Sequence, residues 1–207
     1  MKHIEFFFDF ISPYSYLAHS QLPSLARRYG YGIRYKPFDL RAAKLKAGNT
    51  GPATVEIPAK YRYARADILR WARRYDVAFK FAPAVAVPAE SKDSTRANKG
   101  VFFALRNGQE ELYVKTMWRE MFESGGFVGT DQTLGNVIRT LDWKPTEFFA
   151  FVQSEEADRL YKEVNQEAHE RGVFGAPIMF LDEEIWWGND RLEFLREYLE
   201  SQKATHN

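Results

Sequence analysis

Residues 12–15 read Ser-Pro-Tyr-Ser and close an aromatic run, Phe6-Phe7-Phe8-Asp9-Phe10-Ile11. Serine followed by proline is a helix-opening pair. The hydroxyl accepts a backbone N–H of the first turn, and proline at the first helical position has no N–H to leave unpaired. Ser12 therefore lies beside free N–H groups at the positive end of a helix dipole, where an anion is stabilised. Taken alone it reads as a cap, with Tyr14 and Ser15 in packing or solvated roles. Two later stretches carry further candidates: Gly175-Ala176-Pro177, in isolation an ordinary turn, and Trp187-Gly188-Asn189-Asp190, in isolation a capped helix start. The chain has no cysteine, which removes disulfides, thiolate metal sites and any nucleophilic thiol of its own. Its histidines (His3, His19, His169, His206) lack HxH or HExxH spacing, so no metal site is expected.

These residues need elements to hold them. Ile4–Phe10 predicts a strand. The helix behind Ser12 buries Leu17, Leu22, Leu25 and Ala26 and stops at Gly30, and Tyr31–Phe38 predicts a second strand, completing a βαβ unit. After the glycine-rich segment 46–54, Ile57, Tyr61, Ala64, Ile68, Trp71 and Tyr75 recur at spacings of four and three, the pattern of a helix with one buried stripe. Its other face carries Lys60, Arg62, Arg65, Arg70, Arg73 and Arg74. In a chain of net charge +1 that face reads as solvated surface; an adaptor surface for an acidic partner is the alternative and predicts salt-sensitive association.

Further helices are predicted at 97–106, 109–123, 131–141 and 145–153, and Ser154 with Glu155 and Glu156 opens another that ends at Arg171-Gly172. The apolar runs 173–181 and 184–188, parted by Asp182-Glu183, predict a hairpin, with one of Trp186 and Trp187 in the core and the other walling a site. Asn189 caps the last helix, with Asp190 in its first turn. The ends thus form β-α-β and α-β-β-α. The expected division is an α/β domain of residues 1–39 and 155–207 with a helical insertion of residues 40–154.

A near-neutral balance gives no electrostatic case for nucleic acid or membrane as partner. No apolar run approaches the ~20 residues that span a bilayer, and Met1–Phe10, with Glu5 and Asp9, does not read as a secretory signal, so a cytoplasmic location is expected.

The segments FFFDFISPYSYLA and GVFGAPIMFLDEEIWWGNDRLEFL, in this order along the chain, resemble the 2-hydroxychromene-2-carboxylate isomerases and kappa-class glutathione transferases. The resemblance covers essentially the whole chain and implies a DsbA-like thioredoxin fold with a large helical insertion. In redox relatives the place of Ser12 is held by a cysteine; hydroxyls cannot exchange disulfides. The resemblance therefore implies glutathione as the source of sulfur, with Ser12 donating a hydrogen bond to its thiolate. It further implies a cis-proline at Pro177 whose neighbour Ala176 pairs with the peptide, and a second anchor at Trp187, Gly188, Asn189 and Asp190, the last receiving the γ-glutamyl ammonium. Lys44 matches a lysine directed at a substrate carboxylate, and a solvated lysine is the plainer reading. The implied reaction is cis/trans isomerisation of an aromatic-catabolism product by addition and departure of the thiolate. Conjugation by a transferase and thiol-free peptide binding are the alternatives. Homodimers are common in both families. At Thr54-Val55 and Ala84-Val85 the chain is more apolar than the isomerase pattern, which implies a less polar acceptor.

Overall fold

The structure is a computed structural model and describes residues 2–83 and 88–205; Ala84, Val85 and His206 lie outside the described residues. Four strands, β1 (His3–Phe8), β2 (Gly32–Pro37), β3 (Ile178–Leu181) and β4 (Glu184–Trp187), form one sheet in the order β2-β1-β3-β4. β1 runs parallel to β2 and antiparallel to β3, with Phe6 opposite both Tyr35 and Met179. β3 and β4 form the expected hairpin, Ile178 opposite Trp187.

Being central, β1 is buried on both faces, and its side chains divide by the two-residue period of a strand. Ile4, Phe6 and Phe8 enter one core with Leu17 and Leu22 of α1 (Pro13–Arg28) and with Leu195 and Leu199 of α9 (Leu192–Thr205). Phe7 enters a second core with Phe38, Ile178 and Phe180, covered by α2 (Leu40–Lys46) and α8 (Glu155–Glu170). Burying such a ring is worth roughly 1.5–3 kcal/mol. β1 stops at Phe8, two residues before the predicted end, because Asp9 turns the chain: its carbonyl accepts the Ser12 N–H at 3.0 Å and its carboxylate the Ile11 N–H at 3.3 Å.

Between β2 and β3 lie α2, α3 (Pro58–Arg74), α4 (Thr95–Arg106), α5 (Glu110–Trp118), α6 (Asp131–Thr140), α7 (Pro145–Val152) and α8. The first of these, α2, was not foreseen as an element; Asp39 caps it by accepting the Ala42 N–H at 2.9 Å. The helix expected at 109–123 ends as α5, and a π-helical turn, Arg119–Glu123, follows. Tyr113 and Trp118 of α5 pack into the same core as Phe8 and Phe10, with the Trp118 and Phe8 ring centres 5.1 Å apart, so the inserted helices close the core of the sheet rather than building their own. Among the described residues no helix is long and apolar enough to cross a membrane.

Candidate active site

Ser12 has an extended backbone (φ −90°, ψ 109°) and its Oγ accepts the Ser15 N–H at 3.2 Å, as a cap does. Only the fold supplies its second partner. The hydroxyl donates to the carbonyl oxygen of Ala176, 3.2 Å away and 164 positions along the chain. The Ala176–Pro177 bond is cis, as expected. The Pro177 carbonyl accepts the Gly188 N–H at 2.9 Å, which carries the β3–β4 pairing one step past the strand ends. The tip of α1, the proline turn and the loop after β4 are thus one hydrogen-bonded unit.

A pocket of about 240 Å³ opens on this unit. Ala176, Trp187, Gly188, Asn189 and Asp190 line one side, with Arg191. Tyr14 and, from α3, Asp67 and Trp71 line the other. Ser12, 4% exposed, and Pro177 do not themselves line the pocket; Ser12 stands behind the lining, hydrogen-bonded to the Ala176 carbonyl. Trp187 walls the pocket while Trp186 is buried against Tyr198, as the hairpin pattern anticipated. Gly188 has φ +101°, and a Cβ there would stand 2.4 Å from Asp190 Oδ1, so only glycine fits. Gly175 is held to the same type by the Trp187 ring, which a Cβ would meet at 2.6 Å.

One sequence expectation changes, that of Asn189, and the surroundings of Asp190 and Lys44 become visible. Asn189 does not cap α9. It begins a short 3₁₀ turn, Asn189–Arg191, with no side-chain cap, and its side chain is buried inward while its carbonyl accepts the Tyr75 hydroxyl at 2.8 Å. Asp190 is not a free carboxylate, being ion-paired with Arg191. Lys44 does not line the pocket; it lies half-buried in the last turn of α2, with no side-chain hydrogen bond or ion pair among the described residues.

Tyr14, read from the sequence as packing or solvated, and Asp67, passed over there, both line the pocket. The Tyr14 hydroxyl donates to Asp67 Oδ2 at 3.1 Å. Burial, reinforced by the neighbouring Asp67 charge, pushes this phenol well above its ordinary range, so it remains a donor. The available signal was a lone acid on an otherwise cationic helix, one turn before Trp71, a pair that must share a helix face.

The lining has unmet hydrogen bonds. The Asn189 Nδ2 is buried without a partner, and the Ala176 N–H makes no hydrogen bond among the described residues. An unpaired buried donor costs roughly 1–3 kcal/mol. An extended peptide pairs with a free strand-like backbone as an added strand, and the Ala176 N–H is such a donor at the pocket wall. A separate cleft of about 220 Å³ lies on the opposite face of α1, beside His19, Trp118 and Lys115. Its other charges are paired as Arg27–Glu111 and Arg119–Glu123, and it shares no lining residue with the pocket.

A four-stranded sheet of this order, with a cis-proline set against the tip of its first helix, defines the thioredoxin fold class. Residues 3–200 match the family model of the DSBA-like thioredoxin domain, and the chain belongs to that family. It is 38% identical over 198 residues to a 2-hydroxychromene-2-carboxylate isomerase of Sphingobium xenophagum, covering 96% of this chain and 98% of that one. It is 27% identical over 213 residues to glutathione S-transferase kappa 1 of Caenorhabditis elegans, covering 97% and 92%. A solved 2-hydroxychromene-2-carboxylate isomerase superposes with a TM-score of 0.89 at 35% identity, covering 99% of each chain. The resemblance stated from the residues is thereby borne out, and the chain is an enzyme of this isomerase and transferase group.

Proposed function

We propose that this enzyme is a glutathione-dependent isomerase of aromatic catabolism, acting on 2-hydroxychromene-2-carboxylate or a close, less polar analogue. The observation that carries the proposal is the hydrogen bond from Ser12 to Ala176, next to a cis-proline, in a chain without cysteine. That arrangement places a hydroxyl and a helix N-terminus together and provides no sulfur.

Glutathione, when bound, supplies the sulfur nucleophile that adds to a conjugated carbon and departs once the bond has rotated. The residues of the chain bind, orient and hold protons. Ala176 offers its N–H to the peptide backbone. Asp67, fixed by the Tyr14 hydroxyl, and Asp190 are the two pocket carboxylates for an ammonium; among the described residues Asp67 has no cation of its own, whereas Asp190 shares Arg191. Trp187, with Gly175 against its ring, and Trp71 close the pocket from two sides. Ser12 turns its O–H from the Ala176 carbonyl to the sulfur, exchanging a neutral hydrogen bond for a charge-assisted one about twice as strong. Lys44 is assigned to the second substrate's carboxylate. The enzyme acts as a cytoplasmic homodimer built from the 1–39/155–207 domain and the 40–154 insertion.

Conjugation without release of glutathione is the second reading, supported by the kappa-class similarity. Product analysis tests both. Isomerisation leaves total glutathione constant, whereas conjugation consumes one equivalent per product. Failure of glutathione to bind at all would leave only a thiol-free peptide-binding protein.

A further inference from the structure

Residues 40–83, which span α2 and α3, contain ten lysines and arginines against three acids, a surplus of seven. In a chain of net charge +1 the remainder therefore carries −6. Elsewhere cations are commonly neutralised in place: Arg106 by Glu156, Arg171 by Glu5 and Glu167, Arg196 by Glu193 and Glu200. Among the described residues none of the ten cations of 40–83 forms an ion pair. Three arginines of α3 instead lie over aromatic rings, Arg65 on Phe81 at 3.7 Å, Arg74 on Trp71 at 5.7 Å and Arg70 on Tyr63 at 6.0 Å. Unpaired like charges on one short segment repel one another, and ring contacts offset that repulsion without neutralising the charge, so the positive field persists.

The basic segment is also a wall of the pocket. Asp67 and Trp71 line it, and Arg70 and Arg74 flank Trp71 on α3. A one-signed charge concentration beside a cleft raises the local concentration and association rate of the opposite charge.

We propose that the α2–α3 segment is a collecting surface for small organic anions, which it steers along α3 into the pocket. The ligand side of this inference rests on the glutathione reading; the field itself does not. Glutathione at neutral pH carries a net charge of about −1 and its sulfonate analogue about −2, which makes them a graded pair of probes. Association is followed by stopped-flow quenching of the pocket tryptophans, Trp71 and Trp187. Between about 0.3 M and about 0.01 M salt, on-rates rise roughly fourfold for glutathione and roughly fifteenfold for the sulfonate, because screening relaxes as the Debye length grows and the effect scales with ligand charge. In the double variant R62Q/R73Q, which alters exposed positions outside the pocket, both salt slopes shrink while off-rates stay unchanged. A salt-independent on-rate, equal slopes for the two ligands, or unchanged slopes in the variant overturns the inference. Iodide against caesium quenching of the same tryptophans reads the field with no peptide ligand. At low salt iodide is the stronger quencher of the wild type by a margin that falls in R62Q/R73Q. Loss of glutathione binding with that margin intact would refute the glutathione reading alone; absence of the margin would refute the collecting surface alone.

Discussion

Replacing Ser12 by alanine separates the two roles that its hydroxyl holds. The cap is one: Oγ accepts the Ser15 N–H at 3.2 Å, and its loss costs about 1 kcal/mol of stability. The other is proposed: donation to a bound thiolate in place of the Ala176 carbonyl. A hydrogen bond to a charged group is worth roughly 1.5–3 kcal/mol and the neutral bond surrendered about 1 kcal/mol. The net gain of the ionised form is therefore about 0.5–2 kcal/mol, centred on about one pKa unit. The α1 dipole contributes up to about a further half unit that the substitution leaves in place. A thiol of ordinary pKa about 8.5 thus titrates near 7 in the wild-type complex and near 8 in Ser12→Ala. The assay is the thiolate ultraviolet absorbance of the glutathione complex against pH. Ser154→Ala is the control, because Ser154 caps α8 with the same 3.2 Å geometry and does not line the pocket. It should lose comparable stability and leave the bound thiol unchanged. Identical thiol titrations in wild type and Ser12→Ala would refute the assignment.

Other consequences are equally specific. Gly188→Ala forces a Cβ against Asp190 Oδ1 at φ +101° and should cost about 1–3 kcal/mol, seen as a fall in Tm of several degrees, together with weakened glutathione binding. Tyr14→Phe frees Asp67 and should weaken glutathione binding by roughly three- to tenfold while Tm stays within a few degrees, measured by calorimetry and thermal denaturation. His19 is buried, with Nε2 3.0 Å from the Tyr35 hydroxyl, and burial pushes its pKa down to about 3. A base whose folded pKa is depressed contributes its full stability above its unfolded pKa of about 6.5 and loses it as pH falls towards the folded value, at about 1.4 kcal/mol per pH unit. The difference in urea stability between wild type and His19→Gln should accordingly change by about 3 kcal/mol between about pH 6.5 and about pH 4; a constant difference contradicts it. Because Trp118 and Phe8 share one core across the proposed domain division, fluorescence and circular dichroism should report one coincident unfolding transition.

Legibility in the sequence followed the range of the interactions. Ser12-Pro13 and Ser154 were readable because capping is settled within four residues, and the β3–β4 hairpin because its apolar runs and turn are contiguous. The fold class was readable from the ordered pair of motifs rather than from periodicity. β1 was readable from the alternation of Ile4–Phe10, which Phe7 interrupts because it enters the second core on the opposite face. α2 escaped notice because seven residues after an aspartate cap show too few turns to establish a period. Asp67 acquires a role only when α3 docks beside the tip of α1, and Asn189 looked like a cap until Tyr75 and the 3₁₀ turn took over the local hydrogen bonding. No local pattern encodes such long-range pairings.

The central claim is that this pocket borrows a thiol and ionises it on binding. Its most direct test is titration calorimetry with glutathione near neutral pH, repeated in buffers of different ionisation enthalpy. A pKa falling from about 8.5 to about 7 predicts saturable binding with release of about 0.7 proton per glutathione at about pH 7.5. Binding with no proton release, or no binding, would contradict it.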